Sequence, residues 1–153
     1  MRRLLAPLYR LQRLLWRTFR PRTRGVKVML FDEAGAVLLV RHSYGDTKAF
    51  LLPGGGIRRF EVPERAAVRE IGEELGCGVA GLAAVSVHTS THEGKSDTVH
   101  LFRAMAVGEI RPDGVEIVEA RFFPPDALPA NASPATRRRL AEHRGERESD
   151  GFW

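Results

Sequence analysis

Glu70, Glu73 and Glu74 follow one another at spacings of three and one, so on a helix their carboxylates share one face and can reach a common ligand. Three carboxylates on one patch repel unless a proton or a cation sits among them. The economical occupant is a hard divalent cation such as Mg²⁺, which prefers carboxylate oxygen and water. Arg69 immediately precedes the group, and an isolated acid, Glu61, stands nine residues before Glu70, just after the glycine run Gly54-Gly55-Gly56. Glutamates at these spacings also serve on solvated helix faces with no chemical duty. The glycine run, Glu61 and Arg69 together argue against that plainer use.

The stretch from residue 55 to residue 77, GGIRRFEVPERAAVREIGEELGC, resembles the Nudix box of the Nudix hydrolases position for position. Gly55, Glu61, Arg69, Glu70, Ile71, Glu73, Glu74 and Gly76 all match, and Cys77 fills the last apolar place. The flanking pattern carries the resemblance over roughly residues 24–144. One departure is Val62, where many members place a Ser or Thr helix cap; Pro63 behind it suits a first helical turn. The resemblance implies hydrolysis of a diphosphate linkage in a nucleoside diphosphate derivative such as a nucleotide sugar, an ADP-ribose-like molecule or a nucleoside triphosphate. It implies Mg²⁺, with Mn²⁺ as a substitute, held by Glu70, Glu73 and Glu74, of which Glu73 and Glu74 are the surest ligands and are counted as catalytic. Glu61 and Arg69 are expected to brace the loop and helix by pairing, while the glycines allow close backbone approach.

The family usually recruits a further acid from outside the box, as ligand or base. Glu116 and Glu119 are the candidates, both on an expected strand over Val115–Phe123, where residues three apart point to opposite faces. Placement before Phe122-Phe123 favours Glu116. For substrate binding the resemblance points to Arg41, Tyr44 and Phe50 with Gly54 and Gly55, and the polar stretch from His88 to Asp97 is a candidate second wall. No substrate-specific run of the subfamilies accompanies the box. The alternative from another class is a noncatalytic nucleotide-sensing or membrane- or partner-docking module on the same fold; loss of the metal glutamates would mark the sensing form, and all three are present.

The chain has 153 residues, 43% hydrophobic and 28% charged, which fits one soluble globular domain with a proper core. A single cysteine excludes an internal disulfide and a Cys-rich metal site, and Cys77 reads as a small buried apolar residue. The net charge of +5 is unevenly spread: residues 1–27 hold nine basic groups and no acid, leaving 15 basic against 19 acidic residues in the remainder. Leu4, Leu8, Leu11, Leu15 and Phe19 form an apolar helical stripe beside Arg10, Arg13, Arg17 and Arg20, and Pro21 ends it. Residues 1–23 are therefore expected to form a basic amphipathic helix, with arginines too frequent for a membrane span. Three uses compete for it: packing on the body or on a second subunit of a homodimer, lying on an anionic membrane surface, or holding an acidic partner. Packing leads. A nucleic acid duplex is not an expected partner, and a cytoplasmic setting is expected, with organellar targeting and peripheral membrane association left open.

Periodicity predicts strands near residues 26–30, 36–40, 50–52, 79–90, 97–107 and 115–123, a helix from Pro63 to Leu75 stopped by Gly76, and a last helix capped by Ser133-Pro134 and reaching about His143. This order of strands and helices fits a mixed sheet between helices; the resemblance specifies the Nudix α/β/α sandwich over residues 24–144. The tail 145–153 has no periodicity and is expected to be flexible.

Overall fold

The computed structural model describes residues 22–92 and 95–153. Residues 1–21, which contain most of the expected N-terminal helix, lie outside the described residues, while Arg22 and Thr23 already belong to a strand. Five strands form one mixed sheet: β1 (Arg22–Phe31), β2 (Val37–His42), β3 (Gly78–His92), β4 (Lys95–Val107) and β5 (Ile117–Phe123). Their order is β3-β4-β1-β2-β5, with β1 parallel to β4 and every other pair antiparallel. Helices α1 (Pro63–Leu75) and α2 (Pro134–His143) cover opposite faces.

The period-two pattern of the strands explains the layering. Val26, Val28 and Leu30 of β1, with Leu38 and Val40 of β2, pack against Ala66, Ala67, Ile71 and Leu75 of α1. The alternate residues, Met29, Val37 and Leu39, join Phe50, Leu52 and Leu140 on the α2 side. Cys77 is buried in the α1-side core, a free thiol with a raised pKa from burial.

Helix α1 starts after Val62, whose side chain makes no capping bond, with Pro63 in the first turn. It ends at Gly76, whose φ of 63° is the left-handed geometry glycine tolerates. In α2 the Ser133 hydroxyl accepts from the Thr136 amide at 3.1 Å.

Two expectations need correction. The strand expected over Val115–Phe123 begins only at Ile117: the Asp113 carboxylate accepts from the amides of Val115, Glu116 and Ile117, which turns the chain there and leaves Glu116 in the turn. The tail expected to be loose returns to β3. The Thr89 amide donates to the Gly151 carbonyl at 3.0 Å, and the Trp153 amide donates to the Thr89 carbonyl at 2.9 Å.

Candidate active site

The site is built where β1 and β2 part. They pair at Phe31 and Val37, and beyond that point the segment Phe50–Ile57 is wedged between them. Val40 exchanges both backbone bonds with Leu51, while Val28 and Val26 donate to the carbonyls of Pro53 and Gly55 at 3.0 and 2.9 Å. Running along β1 this closely demands glycine: a Cβ on Gly54, whose φ is 129°, would sit 2.3 Å from the Val26 carbonyl oxygen. A Cβ on Gly55 would sit 2.6 Å from Glu70 Oε2. The glycine run thus passes directly over the carboxylates of α1.

Arg69 ties this arrangement together. Its Nε and Nη2 take the two oxygens of Glu61 at 2.8 Å each, its Nη1 reaches Glu70 Oε1 at 2.6 Å and Glu73 Oε2 at 3.0 Å, and Nη2 also donates to the Gly56 carbonyl at 2.8 Å. The bidentate pairing is the fork geometry a guanidinium suits. It holds the Glu61 carboxyl down at about 2, the Arg69 bond acting first and the Arg58 amide second. Arg58 takes the other oxygen of Glu73 at 2.9 Å, and Glu73 remains half exposed.

Glu74 lies deeper, only 4% exposed, and its Oε2 accepts from the Gly54 amide at 3.0 Å. Burial raises its pKa to about 7; the Lys27 ammonium and the Gly54 amide oppose the rise, while Glu70 and Glu116 add to it. Glu116, approached by the Tyr44 hydroxyl at a long 3.5 Å, is also shifted upward, by burial first and then by Asp113 and Glu70. The acids of α1 and the turn before β5 therefore share one electrostatic neighbourhood. His42 completes it at the end of β2. It is 7% exposed, its Nδ1 has no hydrogen-bond partner, and burial followed by the Lys27 charge lowers its pKa to about 4.

The remaining residues singled out from the sequence separate. Tyr44 stands beside Glu116, with its ring 5.4 Å from His42. Glu119 is engaged elsewhere, 2.5 Å from Arg41 and 3.7 Å from Arg121. Arg41 also donates to the Thr47 carbonyl and lies over the Phe50 ring. Phe50, expected to bind substrate, is 5% exposed and edge-on to Phe123 in the α2-side core. His88, in the expected second wall, is fully buried on the α2 side, its Nδ1 2.5 Å from Arg139 Nη1. Sequence reasoning passed over Lys27 and Asp113, which match no motif; the one available signal was a charged residue within the apolar alternation of β1.

As the side chains stand, no three acid, imidazole or thiol groups among the described residues converge on one point, and Glu73 and Glu70 are paired with arginines. The donor chemistry nonetheless fits a hard divalent cation. The donors are carboxylates from α1 and the turn before β5; burial first, and neighbouring carboxylates second, disfavour charge on Glu74 and Glu116, and a cation would offset both.

The NUDIX domain family model matches residues 21–143. A Bacillus subtilis protein provisionally named an 8-oxo-dGTP diphosphatase is 33% identical over 119 residues, covering 77% of this chain and 77% of its own. A Mycobacterium tuberculosis protein provisionally named mutator protein MutT4 is 31% identical over 123 residues, 72% of this chain but only 47% of that protein. Among solved structures, that of the MutT NUDIX hydrolase from Burkholderia pseudomallei superposes with a TM-score of 0.71 at 27% identity, covering 78% of this chain and 95% of that one.

Proposed function

The chain belongs to the Nudix hydrolases, and from that membership we propose that it cleaves a diphosphate linkage in a nucleoside diphosphate derivative, with Mg²⁺ or Mn²⁺ held by Glu70, Glu73 and Glu74. The observation that carries this reading is the carboxylate cluster on α1: Glu74 Oε2 lies buried under the Gly54 amide at 3.0 Å, with Glu70 and Glu73 gathered beside it on Arg69 at 2.6 and 3.0 Å. A divalent cation bound there supplies neutralisation of phosphate charge and a more acidic water.

The chain's own residues supply the rest. Glu116 takes the proton of the attacking water at Oε1, with Tyr44 engaging Oε2; its raised pKa brings it nearer the working pH than an ordinary carboxylate. The water oxygen forms the new P–O bond as the bridging P–O bond breaks, and the departing phosphate keeps the electron pair. Arg69 and Glu61 fix the loop and helix, so that the carboxylates are oriented before substrate arrives. The name of the Bacillus subtilis relative puts an oxidised purine nucleoside triphosphate first among the substrates to test.

The test is a screen of 8-oxo-dGTP, unmodified nucleoside triphosphates, nucleotide sugars and ADP-ribose with Mg²⁺ or Mn²⁺, reading released phosphate species. Activity should vanish with chelator, and Glu73→Gln and Glu74→Gln should each lower turnover by about 10²-fold or more. Full activity in both variants or in excess chelator would overturn the reading. Nucleotide binding without turnover would favour a sensing module.

A further inference from the structure

We infer that Lys27 is a positioning residue of this site: its ammonium clamps the backbone of the wedged segment and thereby aims the Gly54 amide at Glu74. Lys27 sits on β1 between Val26 and Val28, the two residues whose amides hold Gly55 and Pro53. Its Nζ donates to the Leu52 carbonyl and to the Gly54 carbonyl, both at 2.9 Å. Backbone bonds from β1 and side-chain bonds from Lys27 therefore alternate along the segment, and Leu52, Pro53, Gly54 and Gly55 are each held through their carbonyl.

Gly54 is the residue most in need of such a clamp. Glycine at a φ of 129° has no side chain to limit its rotation, yet its amide must point at Glu74 Oε2. The same ammonium places positive charge near Glu74 and His42, so a neutral replacement changes both the geometry and the field. Arg58 and Arg69 neutralise the outer carboxylates; Lys27 does so from the sheet side. This role rests on the proposed reading of the site, but the clamp itself can be measured without any turnover.

The experiment pairs Lys27→Met with Lys27→Arg. Amide exchange at Gly54, followed by NMR in the metal-free protein, should accelerate by about tenfold or more in Lys27→Met and stay near wild type in Lys27→Arg. In the activity assay, Lys27→Met should lower kcat by about tenfold with KM within about twofold of wild type, and Lys27→Arg should recover most of the loss. Unchanged Gly54 exchange in Lys27→Met overturns the inference even if the enzyme proves inactive on every diphosphate tested. A rise in KM at constant kcat also overturns it, because that pattern makes Lys27 a direct substrate contact. If every amide of the sheet loosens equally, Lys27 stabilises the fold at large and the positioning role is wrong.

Discussion

Glu74 is buried among like charges, and that conflict has a measurable sign. Below pH 4.5 its carboxyl is protonated in both folded and unfolded chains. As pH rises from 4.5 to about 7 the unfolded chain ionises while the folded one keeps its proton, so the folded state binds more protons and metal-free stability falls over that window. The step corresponds to at most roughly 3 kcal/mol. His42 acts in the opposite sense: held neutral down to about pH 4, it favours the fold above its ordinary value of 6.5 and loses that contribution as pH falls. Comparison of Glu74→Gln with wild type cancels His42 and isolates Glu74. In chelator, the variant should melt above wild type at pH 8 and close to it at pH 4.5; equal melting at pH 8 would show that burial does not penalise the charge. The outer acids give a second contrast. Glu116→Gln should depress turnover by about 10²-fold and flatten the acidic limb of the pH–rate profile. Glu119 spends its carboxylate on Arg41, so Glu119→Gln should keep near-normal kcat and show its effect in stability. The reverse order in steady-state kinetics would move the base from the turn before β5 onto β5 itself.

At the scale of elements, the glycine run offers a graded probe. A methyl at Gly54 would meet backbone at 2.3 Å in a left-handed conformation, and one at Gly55 would press on Glu70. A methyl at Gly56 would meet nothing within 4 Å, and the backbone there is not left-handed. Gly54→Ala should therefore unfold at lower denaturant by about 2 kcal/mol or more and lose activity, while Gly56→Ala should stay within about 1 kcal/mol of wild type and remain active. Equal losses at the two positions would mean that chain entropy, not close approach, selects these glycines. Much of this element was legible beforehand. The period of Ala66, Ala67, Ile71 and Leu75, with Pro63 and Gly76 at the ends, fixes the bounds of α1 from sequence. The wedge was not legible. Alternation predicts that residues 26–30 and 36–40 are strands, but nothing in it says that they diverge after Phe31 and Val37 to admit Phe50–Ile57. The same gap explains Phe50: an aromatic residue beside a glycine run suits a binding wall, and only the third dimension shows it filling the α2-side core. Asp113 escaped for a related reason, since it acts on three backbone amides and leaves no side-chain pattern.

For the molecule as a whole, the sheet has one long edge, β3, and the C-terminal tail is what occupies part of it. Its attachment could not be read from sequence because backbone pairing at Thr89 needs no periodicity. Behind the tail lies a chain of polar groups centred on the buried His88 and Arg139: Ser86 Oγ is 2.7 Å from His88 Nε2, His88 Nδ1 is 2.5 Å from Arg139, and Arg139 donates to the Phe152 carbonyl at 2.6 Å and to Glu142 at 2.6 Å. Arg139 is fully buried and its Nε already lacks a partner, so it tolerates little further loss. Trp153 packs against the α2-side core and stands edge-on to His88. Removing Gly151–Trp153 takes away the Phe152 acceptor, both bonds to Thr89 and the indole cover together. Urea unfolding of the chain ending at Asp150 should show a loss of roughly 2–3 kcal/mol with a similar slope. Turnover should hold, because these contacts lie on the α2 side and the acidic site lies under α1. An unchanged urea midpoint would show that Arg139 finds equal partners without the tail. A loss of turnover in a still-folded protein would show that the two faces of the sheet are coupled.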